Sequence, residues 1–180
     1  RSIDHILKTD FDCPAGLADH ATITAPFFDA DAKSGITEKE VHRVQILDPA
    51  AGTGTFLFET VRHIYGAMKP NRGLWAGENG YVAKHLLPRL FGFELMMAPY
   101  AVAHMKLGWF LKETGYNFPR DDRLRVYLTN TLEKRVLPSQ QGWYFGNQIA
   151  HEANAAGRIK AQSPIMIIMG NPPYSGHSAN

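Results

Sequence analysis

The sequence predicts an α/β chain organised on a parallel, doubly wound sheet, and three observations carry that expectation. Short apolar runs alternate with segments of helical period, the pattern that a parallel sheet with crossover helices requires. One run, Val44-Gln45-Ile46-Leu47, ends in Asp48, turns through Gly52 and Gly54, and enters a helix. Another, spanning 164–169, is apolar throughout, as a strand buried on both faces would be, and leads directly into Asn171-Pro172-Pro173-Tyr174.

Taken in order, residues 1–8 read as the last turns of a helix, with Ile3, Ile6 and Leu7 apolar. Residues 10–32 carry Asp, Gly and Pro breakers and read as loop, with one edge strand at most around Ala21-Thr22-Ile23-Thr24. Thr37-Glu38-Lys39-Glu40 has the form of a capping box, but too few residues follow before Val44, so the region reads as an irregular insertion. The first strand is expected at 43–47 and its helix at 53–68, where Leu57, Val61, Ile64, Tyr65 and Met68 recur at helical spacing. Residues 69–80, rich in Gly, Pro and Asn, read as loop, and 81–87 as a short helix stopped near Pro88. A second strand at 90–95 precedes a helix at 98–113 whose inner face is Val102, Ala103, Leu107, Phe110 and Leu111, ended by Gly115. A third strand at 124–128, an alanine-rich helix at 145–160 and the strand at 164–169 complete the order.

The 180 residues suit one domain with a real core, and 44% hydrophobic with 20% charged residues is a globular balance. The longest apolar run, 165–169, is far too short to span a membrane, and no signal peptide is visible; a cytoplasmic protein is expected. The single cysteine, Cys13, leaves no internal disulfide and no multi-cysteine zinc site. The eight histidines are scattered without metal-binding spacing, so no metal is expected. A net charge of +2 permits a nucleic-acid partner without arguing for one. Arg120, Arg123 and Arg125 are interleaved with Asp121 and Asp122, and Lys134-Arg135 is only a pair.

Ligands of doubly wound sheets lie beyond the carboxyl ends of the strands. The stretches 48–54, 94–96, 130–132 and 171–174 all fall there. A strand, a glycine turn and a helix start make a cradle for a nucleotide-like cofactor, since glycine admits close backbone approach and the helix start offers free N–H groups. A dinucleotide fits poorly: Leu57 takes the place of the third glycine, and Glu94 lies well beyond the spacing of about 20 residues at which the dinucleotide fingerprint carries its acid. A phosphate loop fails because no Gly-Lys-Ser/Thr follows.

Asp48-Pro49-Ala50-Ala51-Gly52-Thr53-Gly54 together with Asn171-Pro172-Pro173-Tyr174 resembles the S-adenosylmethionine-dependent amino-methyltransferases. The Asp-Pro opening, the Phe56-Leu57 after the turn, and the cofactor motif preceding the Asn-Pro-Pro-Tyr motif look like DNA adenine-N6 methyltransferases of the gamma arrangement. The longer run from Gly170 to Ser178, with Gly92-Phe93-Glu94-Leu95, is similar to the methyltransferase part of single-polypeptide Type I-like (Type ISP/IIG) restriction–modification enzymes. The resemblance implies a Rossmann-like class I methyltransferase core. It also implies S-adenosylmethionine as cofactor, duplex DNA with a flipped adenine as partner, and covalently fused nuclease, helicase and target-recognition parts.

Carried over by the resemblance, the donor would be lined by Asp48, Pro49, Ala50, Gly52, Thr53, Gly54, Glu94, Leu95, Asn130 and Thr131. Within that set Asp48 and the glycine turn face its amino-acid end, Glu94 takes both ribose hydroxyls, and Leu95 or Met96 packs on the adenine. Packing of Met96 and Met97 in the core at the helix start is the competing reading. Asn130 stands where the family usually has Asp; it could instead be a plain turn residue. The catalytic group would be Asn171, Pro172, Pro173 and Tyr174. An exocyclic adenine amine is a poor nucleophile because its lone pair is delocalised into the ring. The Asn171 amide oxygen and the Pro172 carbonyl could accept its hydrogens and aim the lone pair at the methyl. The two prolines stiffen that geometry, and Tyr174 could stack on the flipped base.

Two alternatives stay open: methylation of a protein glutamine at N5, and a non-catalytic donor-binding or scaffold module. The chain starts at Arg1 without the family's Thr-Pro motif and stops soon after Tyr174. It therefore reads as a fragment of a methyltransferase core, incomplete on the C-terminal side and lacking a target-recognition domain. Such a piece is expected to bind the donor weakly and not to methylate DNA by itself.

Overall fold

In the computed structural model, the described residues are 2–28, 36–68, 72–77, 79–119, 122–132 and 144–172. Four strands form a parallel sheet: β3 (Ile46–Asp48), β4 (Leu90–Glu94), β5 (Arg125–Leu128) and β6 (Ile167–Ile168), in the order β5-β4-β3-β6. The helices are α1 (Ser2–Thr9), α2 (Thr55–Met68), α3 (Arg72–Ala76), α4 (Met97–Glu113) and α5 (Tyr144–Gln162). From β3 the chain steps outward to β4 and β5, then returns to place β6 on the other side of β3. The switch point expected of a doubly wound sheet thus lies between β3 and β6.

Side-chain alternation along the strands explains the layers. Ile46, Leu90, Val126 and Ile167 point to one face, where Leu57, Val61 and Ile64 of α2 and Leu107 and Leu111 of α4 fill the larger core. Leu47, Phe91, Phe93 and Tyr127 point to the other face and pack on Ala156 and Ile159 of α5. The alanine-rich α5 lets that helix lie close to the two aromatic strands. It covers β3 to β5 and leaves Ile168, which shares the Leu47 face, 68% exposed. The expectation that the last strand is buried on both faces is therefore corrected, and only two of its apolar residues pair.

The amino-terminal region departs furthest from expectation. The edge strand allowed around 21–24 is present but longer, and in place of the irregular insertion a second strand pairs with it as an antiparallel hairpin, β1 (Thr22–Phe28) with β2 (Ile36–His42), registered Thr22 to His42 and Phe28 to Ile36. Alternating Thr, Ile and Val favour extended pairing once a partner strand exists. Pro26 is tolerated because both strands of a two-stranded ribbon are edges. His42 joins the hairpin to the main body through a 3.0 Å hydrogen bond to His85.

The stretch expected as loop at 69–80 contains α3, anchored by Trp75, which is fully buried, stacks on Tyr81 and donates to the Thr114 hydroxyl at 3.0 Å. A π-type turn (Val82–Leu86) and a 3-10 turn (Leu87–Arg89) follow. On α4 the inner face is Ala103, Leu107 and Leu111, with partly buried Phe110 packed against the same core, whereas Val102 points outward, 39% exposed. Gly115 ends α4 in the left-handed conformation (φ 103°), and the Tyr116 N–H reaches back to the Leu111 carbonyl at 2.8 Å.

Candidate active site at the carboxyl edge of the sheet

The turn after β3 is tied to its neighbours by backbone and carboxylate bonds. The Ala51 N–H donates to the Phe93 carbonyl at 2.8 Å, which holds the turn against β4. Glu94, at the end of β4, accepts the Gly52 N–H on Oε2 at 2.7 Å and the Met96 N–H on Oε1 at 2.8 Å. Its carboxylate therefore braces the glycine turn and the start of α4 together, with a further lone pair on each oxygen. Gly52 lies at φ 54°, and a side chain there would meet only the Ala50 carbonyl oxygen at 4.0 Å. Thr53 is exposed, its hydroxyl 3.4 Å from that of Thr55.

Gly54 is required on two counts. Its φ is 73°, and a Cβ there would lie 3.0 Å from the Cβ and 3.2 Å from the Cα of Ala103 on α4. Gly54→Ala is expected to cost about 2 kcal/mol or more through left-handed strain plus the enforced shift of α4. A urea melt of the variant checks it, and an unchanged midpoint would show that the turn relaxes freely.

Asp48 is fully buried. Its Oδ1 accepts the Ala50 N–H at 3.1 Å, whereas its Oδ2 has no partner among the described residues. Burial pushes this carboxyl up to about 6; the Ala50 bond pulls the other way and the negative charge of Glu94 adds to the rise. A buried, half-satisfied carboxyl is costly, and it invites a positively charged or N–H-bearing ligand.

The second motif arrives beside this carboxyl. Leu47 registers with Ile168, the Met169 N–H donates to the Leu47 carbonyl at 3.0 Å, and a Cβ on Gly170 would lie 2.8 Å from Asp48 Oδ1 and 3.2 Å from Pro49 Cδ. Only a residue without a side chain lets the two strand ends come this close. Asn171 and Pro172 follow, both exposed on the rim. Pro173 and Tyr174 lie outside the described residues.

The end of β5 reaches the same rim. The Thr131 hydroxyl donates to the Pro49 carbonyl, and the Asn130 side-chain oxygen accepts the Leu132 N–H at 3.0 Å, so the Asn130 amide shapes its own turn. Leu95 and Met96 stand 67% and 60% exposed beside Glu94, with Met97 at 54%. The reading of Met96 and Met97 as core residues is corrected: α4 starts at the rim and turns its first side chains to solvent.

The residues that sequence reasoning brought together from strands 40 to 120 positions apart thus share one edge, as far as they are described. What it missed is the bracing role of Glu94 and the burial of Asp48, neither of which leaves a local signal.

The model of the N-6 DNA methylase family matches residues 34–180. The chain belongs to that family. Membership implies a methyl donor. Among curated proteins no relative is found. Among solved structures, this family member is similar to the ATP-dependent Type ISP restriction–modification enzyme LlaBIII bound to DNA. The identity is 25% and the TM-score 0.62, over 99% of this chain and 10% of that one. A nuclease-deletion mutant of the Type ISP enzyme LlaGI, in complex with a DNA substrate mimic, matches at 20% identity and TM-score 0.58, over 96% and 12%. The DrdV–DNA complex matches at 24% and 0.56, over 98% and 13%. The methylase-family chain therefore spans about a tenth of the length of these structures. Among its described residues no helix is long and apolar enough to cross a membrane.

Proposed function

We propose that this chain carries the donor turn and catalytic motif of a cytoplasmic enzyme that methylates the exocyclic N6 of adenine in duplex DNA, using S-adenosylmethionine, within a restriction–modification protein. The observation that supports the reading is the close approach of Gly170, which leads into Asn171, to Asp48 and Pro49 at the switch point.

The residues fit the donor chemically. Its amino-acid end carries an ammonium and its sulfonium a further positive charge, and the cradle offers the orphaned Asp48 Oδ2 and the Glu94 carboxylate. The open space over Gly52 admits close approach of a ligand to the turn. When bound, S-adenosylmethionine supplies a methyl on a good sulfonium leaving group, so orientation of the acceptor matters more than a strong base. Glu94 keeps the turn braced and retains lone pairs for ribose hydroxyls. Exposed Leu95 and Met96 offer an apolar shelf for an adenine ring. Asn171 and the Pro172 carbonyl accept the hydrogens of the target amine, and Tyr174 takes the base by stacking.

Labelled methyl incorporation into adenine-containing duplex DNA by the full-length protein that carries this chain, followed by nucleoside analysis for N6-methyladenine, tests the assignment. Asn171→Ala is expected to lower transfer by about a hundredfold or more while leaving donor affinity within about twofold, because its contact is to the acceptor. Label appearing instead on a glutamine of a release-factor-like protein would move the assignment to protein amide methylation.

A further inference from the structure

At the opposite edge of the sheet from the donor turn lies a second cavity of about 490 Å³. Its walls come from four parts of the fold: β2 of the hairpin (Lys39, His42), the amino ends of β4 and β5 (Phe91, Arg125), and the last turns of α5 (Arg158, Ile159). Arg125, Arg158, Lys39 and the His42 imidazole line it, and among the described lining residues the acid is Glu40, whose carboxylate accepts the Thr22 hydroxyl. Arg125 is held in place, one Nη donating to the Pro88 carbonyl at 3.3 Å and its guanidinium lying 5.7 Å from the Phe91 ring centre, which leaves most of its donors for another partner.

His42 is pushed down to about 4, first by burial and then by the positive charges of Arg89, His85, His20 and Arg125 around it. Like-signed groups gathered at one recess are unfavourable unless something of opposite sign is brought to them.

We infer that this amino-edge cavity is a binding site for a phosphate-type oxyanion, held by Arg125 and Arg158 with Lys39 and His42 beside them. A guanidinium pair suits a tetrahedral oxyanion through charge-assisted, forked hydrogen bonds. A bound anion would clamp the hairpin, which otherwise touches the sheet body through few groups, to β5 and α5. Nothing in this inference depends on methyl transfer, so its failure and that of the proposed function are distinguishable.

The test uses the 180-residue chain with inorganic pyrophosphate as probe. Calorimetry and thermal melts measure binding, and the His42 imidazole is followed by NMR through a pH titration. Saturable binding is expected, with the thermal midpoint rising with probe concentration and the His42 midpoint moving up by about half a pH unit or more as the anion offsets the local positive charge. Arg158→Gln, at an exposed position on α5, and Arg125→Gln should each lower affinity by about tenfold, and Glu40→Gln should raise it. Absence of saturable binding, or binding undiminished in both arginine variants, overturns the inference. Equal binding of uncharged adenosine would overturn it too, showing an apolar cavity and not an anion site.

Discussion

Asp48→Asn is expected to stabilise the folded chain at neutral pH while weakening its hold on S-adenosylmethionine. The wild-type carboxyl is fully buried, with one oxygen unpartnered among the described residues, and burial pushes its pKa up to about 6 from an ordinary 3.8. A group whose pKa is raised by folding contributes fully below its unfolded value and loses that contribution as pH rises through the folded value. Wild-type stability should therefore fall between about pH 4 and pH 6 on this account and level off above. The asparagine variant, which keeps an acceptor for the Ala50 N–H, should lack that fall. The difference above pH 7 is on the order of 2–3 kcal/mol in favour of the variant. Urea melts at pH 4 and pH 7.5 read it: a gain present only at the higher pH is the expected signature, and an equal gain at both would mean that shape, not charge, sets the cost.

On the proposed function, the same substitution also removes the negative charge that would face the donor's cationic end. Affinity for S-adenosylmethionine should then fall by about tenfold or more, and wild-type affinity should itself rise with pH through about 6 as Asp48 ionises. A variant that is more stable and binds the donor as tightly as the parent would remove Asp48 from the cradle. This is the exchange of stability for function expected where a site keeps an unsatisfied charge.

The second large effect is expected at Arg89, which no contact with a ligand explains. It is fully buried, and its guanidinium donates to the carbonyls of His85 at 2.8 Å, Val44 at 3.2 Å and Leu17 at 2.6 Å, and to the Tyr81 hydroxyl. Tyr81 in turn donates to the Ala18 carbonyl at 2.8 Å. One side chain thus joins the turn at Gly16–Ala18, the approach to β3 and the turns before β4. Arg89→Ala leaves several buried acceptors unmade and a large void, a loss of roughly 3–5 kcal/mol. Arg89→Lys should recover little, because a single ammonium cannot span three divergent carbonyls. Chemical denaturation of both variants checks it; recovery of most of the stability by lysine would show that charge, not the fork, is what the site needs.

Much of this fold is written locally. A short apolar run gives a buried strand, period 3.6 gives a helix, and a glycine whose backbone must turn left or a proline that stiffens its neighbours marks a strand end by its own covalent geometry. That is why the doubly wound order and the glycine turn after β3 could be anticipated from residues 44–57 and the strands that follow. Where the signal was ambiguous, tertiary contact decided. Residues 22–42 have strand propensity that counts only once a partner strand satisfies their backbone, so the hairpin was invisible one segment at a time.

What the sequence by itself determined about this protein is which residues stand at the carboxyl edge of the sheet, because strand polarity and backbone constraints are properties of short segments. What only the tertiary structure decided is how those residues are electrically and sterically bound: Asp48 sealed against Gly170, Glu94 bracing a turn 42 residues earlier, and Arg89 gathering carbonyls up to 72 residues away. Burial and hydrogen-bond partnership arise from chain segments that meet only on folding, and free energies of desolvation have no counterpart in a list of residues.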